Sequence, residues 1–241
     1  MVDRHGLAVW LMLALSFGTG ALDAATYLGM GHVFGANMTG NVILVGLTTA
    51  GSEHIEMLGP LAALCGFAGG SLGLGLILRR FPPRDGRDRA LIPVWWITAA
   101  GMAGITVVIA TALPTQSLTH VLTFAIGMLM GFQAIAARRV GVPDVSTVVI
   151  TSTLSLLFSE VGRTGMSRAT MRRFGAVASM FLGAVCGAVL EHYELWMAVL
   201  VPSAILVGVA LVFSVAGPQR RQEIESRKEK NSETIIAGPG R

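Results

Sequence analysis

Six apolar runs, at 7–28, 57–78, 91–112, 118–137, 173–190 and 195–216, recur along the 241 residues. Each is close to the ~20 residues that a helix needs to cross a hydrocarbon core. In hydrocarbon every peptide group must find its partner within the protein, so such runs become helices. Only 13% of the chain is charged, against about 25% in soluble domains. Tenmers of alternating polar and apolar residues are absent, which argues against an outer-membrane barrel. The fold class expected is an all-α polytopic membrane protein. The thirty glycines suit helices that pack closely through small residues.

A second constraint is an internal repeat. Residues 20–47, GALDAATYLGMGHVFGANMTGNVILVGL, have a weaker echo at 131–158, GFQAIAARRVGVPDVSTVVITSTLSLLF. Thr39-Gly40-Asn41 falls on Thr151-Ser152-Thr153, and Cys65-Gly66 on Cys186-Gly187. In an apolar chain this points to a duplicated membrane protein with its working site at the repeat interface. Two short apolar segments, 33–49 and 145–158, decide the topology. If both span, there are eight helices, and the arginines of 79–89 fall on the opposite side from the one that positive charge prefers. If both dip in and return, six helices remain and every loop obeys that preference. The N-terminus, the basic loops (Arg79, Arg80, Arg84, Arg87, Arg89; Arg138, Arg139, Arg163, Arg168, Arg172, Arg173) and the tail are then cytoplasmic. Glu53, Glu56, Glu191 and Glu194 are external. Two inverted three-helix repeats result, 7–112 and 118–216, within a membrane domain 1–217. Residues 218–241 are polar and basic without apolar periodicity, and read as a disordered cytoplasmic tail. The N-terminal run has the elements of a secretory signal, but as the first helix of the repeat it is read as a span.

Smaller features follow from this frame. Trp10, Trp95, Trp96 and Trp196 fall near helix ends, where indoles favour the headgroup zone. Ala62, Gly66 and Gly70, and likewise Gly183 and Gly187, place small residues on one helix face for close approach. Cys65 and Cys186 read as small packing residues within apolar helices, and no metal site or cofactor is expected. The net charge of +4 resides in loops and tail, so no nucleic-acid partner is expected. The partners expected are the lipid bilayer and a small solute or ion, with self-association left open.

An irregular backbone at membrane depth must be buried in protein or line a watery cavity. Asn37 and Asp144 each precede a short apolar segment and suit helix N-caps. Two half-helices starting there would aim their positive ends at one central point, which would suit an anion or a polar neutral solute. Thr39 and Asn41 flank a glycine within an apolar segment. Thr151 and Thr153, with Ser146 and Thr147, offer hydroxyls in the second copy. Asp23 is the one acidic residue deep within a full-length apolar run, and an intramembrane carboxylate is a functional hypothesis by default. Its alternative is a buried structural hydrogen bond. His32 is the basic group nearest to it in sequence, and its counterpart in the second half is Gln133. Zinc-protease, hydrolase-elbow and phosphate-loop patterns are missing.

Residues 20–45, with Asp23-Ala24, Phe34 and above all Met38-Thr39-Gly40-Asn41, resemble the YoaK-like family of bacterial inner-membrane proteins. Gly131, Gln133, Arg138-Arg139 and the Thr-rich 145–154 carry the likeness into the second half, with Ala134 and Ser152 as departures. The resemblance implies about six helices in the bacterial plasma membrane and brings no established activity. The function expected is a transporter or channel for a small solute or ion. Its site would be lined by Asp23, Asn37, Thr39, Asn41, Gln133, Asp144, Thr151 and Thr153. A non-transporting scaffold is the alternative, and an enzyme is not expected.

Overall fold

A computed structural model describes residues 4–51, 56–81, 90–113, 115–140, 155, 158–159 and 168–215. Among these the chain is helical, without strands. The helices are α1 (Arg4–Gly29), α2 (Met38–Thr49), α3 (Leu58–Arg79), α4 (Leu91–Thr111) and α5 (Gln116–Val140), followed by α6 (Arg168–Tyr193) and α7 (Leu195–Val215). Six of them, all but α2, are long and apolar enough to cross a membrane. With 12 residues, α2 spans about 18 Å at 1.5 Å per residue, short of the ~30 Å core. The second short segment, 145–158, and the tail 218–241 lie outside the described residues, apart from 155 and 158.

Helix directions follow from which residues meet. On α1 and α6, Phe17 lies against Gly183 and Ala21 against Gly187. Rising numbers meet rising numbers, so the two helices run the same way. On α3 and α5, Gly66 meets Phe124 and Gly70 meets Met128, so these two are parallel as well. On α1 and α5, Gln133 meets Thr19, while Gly35 of the link after α1 touches both Leu22 and Ile126. Here rising meets falling, so α5 and α3 run opposite to α1. A chain that leaves α1 and enters an antiparallel α3 has not crossed the bilayer in between, so α2 turns back. Opposite direction also holds for α4 and α7, where Thr106 bonds Ser203 (2.9 Å) and Trp96 bonds Ser214 (3.0 Å).

Two close pairs dominate the bundle, α1 with α6 and α3 with α5, and glycine makes both. A side chain on Gly183 or Gly187 would strike the α1 backbone, and one on Gly66 or Gly70 the α5 backbone. The reverse holds for Gly20 against α6 and for Gly127 and Gly131 against α3. Backbone-to-backbone contact of this kind supplies dispersion where lipid removes any hydrophobic drive between helices. Between the pairs lies a core that includes Met12, Leu15, Leu22, Trp95, Met102, Ile126 and Leu206. The outward faces of α3 and α6, with Leu72, Leu76, Phe181 and Val185 among their residues, are exposed.

Two expectations change here. Trp95 sits near a helix end, but its ring is fully buried and stacks on Phe213 at 5.5 Å. Trp10, 71% exposed, keeps the peripheral position expected of all four. Cys65 is exposed and Cys186 partly so, because the glycines beside them, not the thiols, face the neighbouring helix.

Charge divides along the bundle axis. Arg79, Arg80, Arg138, Arg139, Arg172 and Arg173 lie in the turns at one end, where α1, α4 and α6 begin. Arg139 closes the end of α3 by donating to the carbonyls of Leu78 (2.9 Å) and Phe81. The other end holds Glu56, paired with His120 at 3.1 Å, and Glu191, His192 and Glu194.

Candidate functional site

The residues singled out in the first repeat meet where α1 gives way to α2. Gly31 and His32 take left-handed backbone angles (φ 78° and 61°), and the His32 N–H reaches back to the Tyr27 carbonyl at 3.1 Å. This six-residue closure is a common way to end a helix. The link then descends along α1 toward Asp23, six residues before Gly29, or about 9 Å along the helix. Backbone at that depth has no water to bond.

Four consecutive peptide N–H groups in the link, those of residues 34 to 37, are each met by a side chain. Phe34 donates to Asn41 Oδ1 (3.0 Å) and Gly35 to Thr26 Oγ1 (2.9 Å). Ala36 and Asn37 both donate to Asp23 Oδ1, at 2.7 and 3.1 Å. Asn41 closes the loop from the other side, its Nδ2 donating to the Phe34 carbonyl at 2.7 Å. Asn37 caps α2, its side chain accepting from the Gly40 N–H at 3.3 Å. Met38 sulfur lies 3.7 Å from Asn41 Nδ2. Gly40 is the seat for the Phe34 ring, whose Cδ2 would lie 2.5 Å from any Cβ there. Phe34 in turn stacks on Tyr27 at 4.9 Å. Met38, Gly40 and Asn41 thus fasten the link, while Thr39 faces outward.

Asp23 is only 6% exposed, and while Oδ1 takes two bonds, its buried Oδ2 has no partner. It belongs to a buried polar face of α1 formed by Ser16, Thr19, Asp23 and Thr26, at spacings of three and four that place them in one line. The hydroxyls of Ser16, Thr19 and Thr26 donate to carbonyls one turn back. Gln133 of α5 is buried against this line, its Nε2 3.5 Å from Thr19 Oγ1. Asp23, Asn41 and Gln133 are therefore buried, whereas Asn37 and Thr39 are exposed. Asp144, Thr151 and Thr153, with Ser146 and Thr147, lie outside the described residues. His32 is exposed and set edge-on to Tyr27 at 5.1 Å; it does not pair with Asp23. Thr19 and Thr26 were not among the residues picked out from sequence. Their spacing from Asp23 was the available signal.

An anion at the start of α2 would use the N–H groups that Asp23 and Asn37 already hold. The arrangement instead concentrates oxygen atoms, one of them an unpartnered carboxylate oxygen, in a place that water does not reach.

The profile of a family described as "Protein of unknown function (DUF1275)" matches residues 11–212. The UPF0700 transmembrane protein YoaK of Bacillus subtilis (strain 168) is 27% identical over 216 residues, covering 83% of this chain and 92% of that protein. No solved structure matches the chain.

Proposed function

The chain belongs to the DUF1275 family, whose description assigns no activity, and we propose that it is a multi-pass transporter or channel for a small solute or ion, not an enzyme. The observation that carries this reading is the unpartnered oxygen of Asp23 at the foot of a segment that enters and leaves on one side. A charged group at membrane depth is costly and is kept where it meets a substrate, an ion or a proton.

The two halves are proposed to be an inverted repeat, α1, α3 and α4 against α5, α6 and α7. Three pairs of contacts support this. Gly183 on Phe17 matches Gly70 on Met128, and Gly20 on Met180 and Ala184 matches Gly131 on Phe67 and Ser71. Gly18 on Pro202 and Ile205 matches Gly101 on Leu129. The site proposed lies between α1 and α5, the equivalent helices of the two halves, as in transporters built from such repeats. The arginine-rich end is proposed to face the cytoplasm of a bacterial inner membrane, with both termini there, since positive loops stay on that side.

One observation favours the scaffold alternative: Thr26, Asn41 and one oxygen of Asp23 are occupied in holding the link. The test is reconstitution of wild type and Asp23→Asn in liposomes, with tracer uptake followed for alkali cations, protons, halides, phosphate, amino acids and sugars in turn. Asparagine keeps an Oδ1 for the Ala36 and Asn37 N–H groups, so the variant should fold. Uptake by wild type above empty liposomes, lowered in the variant, is expected. Wild-type uptake equal to that of empty liposomes for every solute would overturn transport in favour of the scaffold.

A further inference from the structure

We propose that the species bound at Asp23 is a monovalent cation, either a proton or a desolvated alkali-metal ion, held by Asp23 Oδ2 with the Thr19 hydroxyl oxygen one turn away. This rests on the transport reading only in naming the class of ligand that the same site takes. The start of a half-helix ordinarily favours an anion. Here that place is filled from within, because Asp23 Oδ1 accepts the Ala36 and Asn37 N–H groups and Asn37 caps Gly40. An incoming anion would find the donors engaged and a carboxylate in its way.

The hydrogens nearby are engaged too. The Thr26 hydroxyl donates to Leu22 O at 2.9 Å and the Thr19 hydroxyl to Leu15 O at 2.8 Å. What these hydroxyls have left is lone pairs. Thr26 spends one on the Gly35 N–H, whereas Thr19 receives only the long 3.5 Å contact from Gln133. Apart from the Gln133 amide, the surroundings offer oxygen acceptors, as a hard cation or a proton requires.

Among the described residues no basic side chain answers the carboxylate. On the link, His32 is exposed at the end of α1. On α6, Glu191 lies beside Gly29, and Arg172 and Arg173 sit at the far end. On α5 the facing residue is neutral Gln133, with Arg138 and Arg139 at the far end, and on α7 the charged neighbour is Glu194, just before the helix. Among the described residues, none of these pairs with Asp23. A buried charge is retained when it is paired or coordinates a metal ion, and otherwise it takes up a proton.

Binding to the folded state raises the unfolding temperature, which needs no knowledge of the transported solute. The full-length protein in detergent would be melted in choline chloride, lithium chloride, sodium chloride and potassium chloride, then in sodium gluconate, at pH 5.5 to 8.5. An alkali-ion site predicts a midpoint several degrees higher in one alkali chloride than in choline chloride, unchanged by gluconate and lost in Asp23→Asn. A proton site predicts a wild-type midpoint that falls with rising pH more steeply than that of Asp23→Asn, with no alkali-ion effect. Identical responses of the two proteins, or a midpoint that follows the anion, would overturn the proposal.

If Asp23→Asn does not fold, wild type alone decides. A hydrophobic carbodiimide, to whose central carbon a protonated buried carboxyl adds through oxygen while its proton passes to nitrogen, should modify Asp23 at low pH, and high pH or the alkali cation should slow it. No modification at any pH would overturn the site. Uptake that ignores Asp23 sinks the cation site and leaves transport standing. Cation-dependent melting without uptake of any solute does the reverse.

Discussion

The α1–α6 pair and the α3–α5 pair are built alike and loaded differently. Each brings two parallel helices together with glycine on backbone, Gly183 on Phe17 in one and Gly70 on Met128 in the other. Yet α1 buries Ser16, Thr19, Asp23 and Thr26, while the buried polar residues described on α5 are Thr123 and Gln133. Packing is duplicated and polarity is not. Closeness of helices and chemistry of the site are therefore separate demands on the sequence. Glycine spacing meets the first in both halves. The second is met on α1, which supplies three of the four N–H partners that the link needs at membrane depth.

The largest effects are expected at the glycines. Gly70→Val and Gly183→Val should each destabilise the bundle by about 3 kcal/mol or more, the upper range for overpacking, because backbone stands in the way. Gly69→Val and Gly73→Val, in open space on α3, should fold as wild type. Thermal melting in detergent reads all four, and a large loss at one matched glycine without the other would deny that the pairs are alike. Next comes Asn41→Ala, which strands both the N–H and the carbonyl of Phe34, at about 1–3 kcal/mol for each unpaired group. Thr26→Val strands a single N–H, that of Gly35, and should lose about half as much, again about 1–3 kcal/mol. Gln133→Leu, in the other half, gives up only a long 3.5 Å contact and should stay within about 1 kcal/mol, the worth of one ordinary hydrogen bond. A Gln133 variant as damaging as the Thr26 one would erase the polar asymmetry. Smallest of all, Thr39→Ala on the exposed side of α2 should stay within about 0.5 kcal/mol.

Much of this was legible in the sequence, for physical reasons. Spans announce themselves because lipid forbids charge along ~20 residues, and all six long helices contain or closely match the apolar runs. Asn37 was readable as a cap because capping is local, within three residues. Asn41 was visible as unusual but not as a clamp. Its target is the backbone of Phe34, seven residues earlier, and a peptide group carries no sequence letter. The repeat expected from the letters and the one proposed from the contacts differ in register. Matching Cys65-Gly66 to Cys186-Gly187 pairs residues that meet Phe124 and Ala21, which are not equivalents. The contacts pair Gly70 with Gly183, over Met128 and Phe17, which stand in register when Gly20 is set on Gly131, and that register sets Asp23 on Ala134 and not on Gln133. Small residues recur so often on these helices that identity of letters cannot fix which face is which. Trp95 looks peripheral by position, yet its ring is buried in the core and stacks on Phe213, from the far end of the chain.

At the depth of Asp23 the chain turns back, so that α1 and α3 run in opposite directions with α2 between them. Single cysteines at His32, Ala50 and Arg80, all exposed positions, on a Cys65→Ser, Cys186→Ser background test this turn directly. An impermeant thiol reagent would be applied to intact cells and to inside-out vesicles. His32→Cys and Ala50→Cys should label from one and the same side and Arg80→Cys from the other. Labelling of His32→Cys and Ala50→Cys from opposite sides would mean that 33–49 crosses the membrane, and would contradict it.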